Sequence, residues 1–119
     1  MADATAQLSN YRQSPRKVGL VVDSIRGKKV SDVLAMLEHM PKRAGAPLAK
    51  LIRSAVASAR SKGLMQEELV ISKIEVGRGI VFKRSSPRAR GSSSLIRKKS
   101  SHIKLELSRR AAKKQIPAA

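Results

Sequence analysis

The sequence predicts an α+β domain: three helices packed on a small antiparallel sheet, with a long basic β-hairpin protruding from it. Three observations lead there. Apolar residues recur at helical spacing in three stretches of the first half of the chain. Apolar and β-branched residues mark strands near residues 5–11, 69–76 and 102–108. Between Glu75 and Glu106 there is no acidic residue, nine Lys and Arg, and a central cluster of turn formers. The order is strand, three helices, strand, hairpin, strand, which implies a sheet covered by helices.

The first strand rests on a loose alternation with Ala6 and Leu8 on one face. Ser14 then suits an N-cap and Pro15 the first helical position. Val18, Val21, Val22 and Ile25 form a single stripe, and Gly27 can take the left-handed conformation that ends a helix. The second helix is expected over residues 32–40, capped by Ser31 and stopped by Pro41. The third is expected over residues 44–62. Leu48, Leu51, Ile52, Ala55, Val56 and Ala59 form its stripe, and Pro47 must lie in its first turn. Lys50, Arg53 and Arg60 fall on its outer face without acidic partners at helical spacing.

After Gly63, residues 69–76 read as a strand by their β-branched content. Ile103, Leu105 and Leu107 alternate with polar residues on the returning strand. Residues 77–101 form the extended arm, with a breaker cluster at Ser85, Ser86, Pro87, Arg88, Ala89, Arg90, Gly91 and Ser92. About ten residues per arm, at roughly 3.3 Å each, project the tip by about 30 Å. Residues 5–76 and 102–108 make the body of a single domain, and residues 109–119 a basic tail.

Charge sets the class of partner. Twenty-six Lys and Arg against eight Asp and Glu give a net charge of +18 on 119 residues. Self-repulsion of that size calls for a polyanion. Nucleic acid is the first candidate, because neutralising its phosphates releases condensed counterions. A membrane is disfavoured, since no apolar run approaches the roughly 20 residues a span needs. The N-terminus lacks the features of a signal peptide. Zero cysteines remove disulfides and Cys-based zinc sites. Tyr11 and Phe82 are the only aromatics, too few for the modules that stack several bases. Recognition therefore runs mainly through phosphates and RNA shape. Arg16 and Lys17 stand at a helix N-terminus, where dipole and free N–H groups already favour an anion.

No catalytic constellation emerges. Two histidines make no metal cluster, no phosphate-loop or dinucleotide motif is present, and Ser101 and His102 point to opposite faces of a strand. No enzyme activity, cofactor or metal is expected. A basic ribbon bending duplex DNA, with Pro87 as a wedge, is the main rival reading. A cationic membrane-active protein is the other, and it lacks interfacial aromatics.

Several motifs together resemble one family. They are Ser14-Pro15-Arg16-Lys17-Val18, Leu20-Val21-Val22-Asp23 and Ile25-Arg26-Gly27-Lys28 in the first helix, then Ser54-Ala55 with Ala57 and Ala59 in the third. Lys83-Arg84, Pro87-Arg88-Ala89 and Gly91 follow in the hairpin, and Ser101-His102-Ile103 on the returning strand. In this order the chain is similar to the family of large-subunit ribosomal protein twenty-two. The resemblance implies an early-binding structural protein of the large ribosomal subunit, cytoplasmic, that bridges domains of 23S-type rRNA. It implies rRNA contacts at Arg12, Ser14, Arg16, Lys17, Lys28, Arg78, Lys83, Arg84, Arg97, Lys98, Lys99 and His102. It also implies that Pro87, Arg88, Ala89, Arg90 and Gly91 line the polypeptide exit tunnel, near the site of macrolide binding. The implied partners are rRNA, neighbouring ribosomal proteins and, at the tip, the nascent polypeptide.

Overall fold

The computed structural model describes residues 3–109. Its strands are β1 (Ala4–Tyr11), β2 (Leu69–Arg78), β3 (Phe82–Pro87), β4 (Ser93–Lys98) and β5 (Ser101–Arg109). Its helices are α1 (Pro15–Ile25), α2 (Val30–Glu38) and α3 (Gly45–Ser61). Strands β1, β5 and β2 form an antiparallel sheet in that order, and β3 and β4 form a separate two-stranded ribbon. The predicted α+β fold class, with its protruding hairpin, is the one observed.

The core lies between one face of the sheet and the helices. Ile71, Ile74, Ile103, Leu105 and Leu107 from the strands meet Val18, Val22 and Ile25 of α1 and Leu48, Ile52 and Ala55 of α3, all nearly inaccessible to water. Burying a side chain of this size stabilises by about 1.5–3 kcal/mol, which offsets the ordering entropy of a small chain. The other sheet face carries Thr5, Gln7, Lys73, Glu75 and Lys104, all exposed. That division explains the alternation along β5.

Helix α1 forms as its sequence dictates. Ser14 caps it, its Oγ accepting from the Lys17 amide at 3.4 Å, and Gly27 follows its end with φ 79°. Helix α3 ends in a Schellman motif. The Leu64 amide donates to the Ala59 carbonyl and the Gly63 amide to the Arg60 carbonyl, with Gly63 at φ 85°. Pro47 sits in its first turn, as required.

Helix α2 departs from expectation. It starts at Val30 rather than Asp32, and Ser31 lies inside it instead of capping it. The cause is tertiary. Lys29 bridges to Val70, and the Ile71 amide donates to the Lys28 carbonyl, so β2 sets where the helix begins. The helix ends at Glu38, and His39 is its exposed C-cap. Arg109 pairs with Leu69 as the last residue of β5, and the rest of the tail lies outside the described residues.

The arm continues the sheet. Strands β2 and β5 pair out to Arg78 opposite Ser101, and the Gly79 amide then donates to the Ser100 carbonyl at 2.9 Å. Beyond this junction β3 and β4 pair from Phe82 opposite Lys98 to Pro87 opposite Ser93. The molecule measures 64 × 31 × 25 Å, about twice as long as it is wide.

Candidate nucleic-acid interface

The root of the arm passes beside the N-terminus of α1. Two adjoining open clefts form there. One, of about 680 Å³, is lined by Ser14, Pro15, Arg16, Arg78, Gly79, Val81, Lys83, Arg97, Lys99 and Ser100. The other takes in Arg12, Gln13, Ser14, Lys17, Arg43, Arg97, Lys98 and Lys99. Nine cations from four separate parts of the chain therefore converge, and no acidic residue lines either cleft.

Each element has a reason to be there. Pro15 and the Ser14 cap start α1 here, and Ser14, Pro15, Arg16 and Lys17 line the clefts, so its first turn faces them. No acid occupies that turn to cancel the dipole. Arg78 ends β2, while Lys83 and Arg97 are directly opposed across the ribbon and share a face. Placing like charges opposite one another destabilises a ribbon unless an anion joins them. All nine cations are exposed. Two Lys or Arg ion pairs occur among the described residues, Arg26 with Asp23 and Lys73 with Glu75, and His39 Nε2 lies 3.9 Å from a Glu38 carboxylate oxygen. None uses a cation of the clefts.

The structure thus brings Arg12, Ser14, Arg16, Lys17, Arg78, Lys83, Arg97, Lys98 and Lys99 together. It does not bring in the other three residues implied to bind RNA. Lys28 follows the opposite end of α1, where its carbonyl binds the Ile71 amide. Arg84 lies further along β3, its guanidinium 5.6 Å from the Phe82 ring centroid. His102 lines a separate cleft on the body with Arg26, Ile74, Glu75, Val76, Gly77 and Lys104. Its Nδ1 accepts from the Asn10 amide at 3.1 Å. This bond seals an irregularity in β1, where two residues lie between the partners of Ile103 and Ser101 and Asn10 takes φ 57°.

Arg43 is a cleft residue that the sequence did not reveal. It lies in the connection between α2 and α3, and only packing carries it to Tyr11, whose hydroxyl oxygen lies 3.5 Å from the Arg43 carbonyl oxygen. A basic Lys42-Arg43 pair after Pro41 was the sole local signal.

At the far end, Ala89–Gly91 form the reversal between β3 and β4. The Arg88 amide closes the loop onto the Ser92 carbonyl at 2.7 Å, with Arg90 at φ 60° and Gly91 at φ 73°. Two successive left-handed residues make the reversal tight. Arg88 Nε donates to Ser94 Oγ at 2.9 Å, tying that side chain back to the ribbon. Arg90 makes no side-chain hydrogen bond among the described residues, so the tip presents it outward as an exposed cation.

The family model described as ribosomal protein L22p/L17e matches residues 6–108. The chain is 44% identical over 107 residues to the large ribosomal subunit protein uL22 of Desulforamulus reducens, covering 89% of this chain and 95% of that protein. It is 46% identical, at the same coverage, to uL22 of Pelotomaculum thermopropionicum. It is also 46% identical over 101 residues to uL22 of Herpetosiphon aurantiacus, covering 84% of this chain and 89% of the relative.

Proposed function

Because the chain belongs to the ribosomal protein L22p/L17e family, a structural component of the large ribosomal subunit in the cytoplasm, we propose that its paired clefts hold large-subunit rRNA. The arm, on this reading, carries its tip to the wall of the polypeptide exit tunnel. The observation that carries the proposal is the convergence, on a helix N-terminus, of nine cations that make no ion pair and meet no acid among the described residues. Phosphates entering there meet guanidinium forks and ammonium groups at the positive end of the α1 dipole.

Bridging follows from separation. The clefts at the root, the cleft around Arg26, His102 and Lys104, and the tip at Arg88 and Arg90 lie on different parts of a 64 Å molecule. Sites so spaced can engage separate RNA segments and draw them together during assembly. The narrow reversal at residues 88–92 suits a confined wall, with Arg90 facing the nascent polypeptide. Neighbouring ribosomal proteins share the remaining surface of the body.

The test is co-sedimentation with the large subunit after a high-salt wash, joined to competition between structured rRNA and duplex DNA at fixed salt. Retention and preference for rRNA support the proposal. Loss in the wash, or preference for duplex DNA, overturns it.

A further inference from the structure

We infer that Phe82, with Arg12 and Arg84, forms a stacking site for one unpaired nucleobase at the root of the arm. The inference rests on the RNA-binding reading above and gives it a base contact that phosphate binding alone lacks.

Phe82 is an exposed aromatic ring, 38% accessible, in a chain with only one other aromatic. Tyr11, that other ring, is half-buried and its hydroxyl donates to Gln13 Oε1. The Phe82 ring has two cationic neighbours. The Arg12 guanidinium lies 5.7 Å from its centroid and that of Arg84 5.6 Å. Arg12 comes from the body and Arg84 from the same face of β3, two residues along. Lys98 stands directly opposite Phe82 across the ribbon. Arg12 and Lys98 also line the second phosphate cleft, so the ring sits at its edge.

Two guanidinium ions beside one ring repel each other, and neither has an ion-pair partner among the described residues. The ring's negative face attracts each of them only modestly. A nucleotide satisfies all three groups. Its base is planar and stacks on the ring or under a guanidinium, and its phosphate lies between the cations. The ligand class is therefore a base from a loop, bulge or single strand, because a paired base has no free face. A single ring stacks one base, which fits a protein whose other contacts are to phosphate.

The experiment uses the full chain and two probes of equal length and charge. One is a ten-nucleotide oligouridylate, and the other is the same phosphodiester chain without bases. The wild type is expected to prefer the base-bearing chain by roughly fivefold or more, within the range measured for single stacking contacts. Phe82→Leu is expected to bind both chains equally, at the affinity the wild type shows for the abasic one, and Phe82→Tyr to restore the preference. The dependence on salt should stay the same in all three proteins. If the wild type binds both probes equally, the stacking site is refuted while phosphate binding stands. If Phe82→Leu weakens both probes alike, the ring only braces the arginines, which also refutes it. If neither probe binds, the RNA-binding reading itself fails.

Discussion

Replacing Gly79 with alanine tests how tightly the root of the arm is built. A Cβ on Gly79 would lie 2.5 Å from Ser100 Oγ, 3.1 Å from the Ser100 carbonyl carbon and 3.2 Å from its oxygen. Ser100 has little room to yield. It is 2% exposed, and its hydroxyl donates to the Ile80 carbonyl at 2.6 Å. The Gly79 amide is held to the Ser100 carbonyl as well. Gly79→Ala is therefore expected to cost about 1–3 kcal/mol, the usual range for overpacking a closed site. Ser100→Ala loses one buried hydrogen bond, about 0.5–1.5 kcal/mol, and leaves the Ile80 carbonyl to find water. The two changes share one contact, so they should not add. Removing the hydroxyl relieves the closest clash, and the double variant should be more stable than additivity predicts by about 1 kcal/mol. Urea unfolding of the wild type, both single variants and the double variant, followed by far-UV circular dichroism with unchanged slope, reads the cycle. Strict additivity, or a Gly79→Ala protein as stable as the wild type, would refute the close packing on which the direction of the arm depends.

Two further outcomes follow from other parts of the structure. Deleting residues 86–92 removes the tip but none of the cleft cations, so folding and rRNA affinity should change less than threefold while tunnel-related properties such as macrolide response change; loss of rRNA binding in a filter assay would mean the affinity lies at the tip. Ser101 Oγ is buried without a hydrogen-bond partner among the described residues, so Ser101→Ala should leave the melting temperature unchanged or raise it, by up to about 1 kcal/mol of added stability. A loss of more than that in calorimetry would show the hydroxyl has a partner.

What the sequence made legible was what local rules control. The stripes of α1 and α3 and the alternation of β5 each reflect one buried face, and each appears where expected. The cap at Ser14 and the stop at Gly63 are likewise local. The start of α2 was not legible, because the bridge from Lys29 to Val70 overrides the capping preference of Ser31. Long-range packing also decided the interface. Arg16, Lys17, Arg97 and Lys99 are far apart in sequence, and only the path of the arm past α1 joins them and recruits Arg43. Lys28 belongs to the same first-helix motif as Arg16, yet the length of α1 carries it to the other end. His102, implied by its motif to contact RNA, lies in a separate cleft, where its Nδ1 accepts from the Asn10 amide, a placement that only the pairing of β1 with β5 decides.

The claim that the clefts hold rRNA phosphate is tested most directly by the salt dependence of binding. The slope of log affinity against log salt should be measured on large-subunit rRNA for the wild type and for R16Q/K17Q/K99Q. These three exposed cations make no ion pair among the described residues, so replacing them should leave the fold intact. Each phosphate contact contributes roughly 0.7–0.9 to the slope. The slope of the triple variant should therefore be shallower by about two. An unchanged slope, with the fold intact, would place the RNA elsewhere on the molecule.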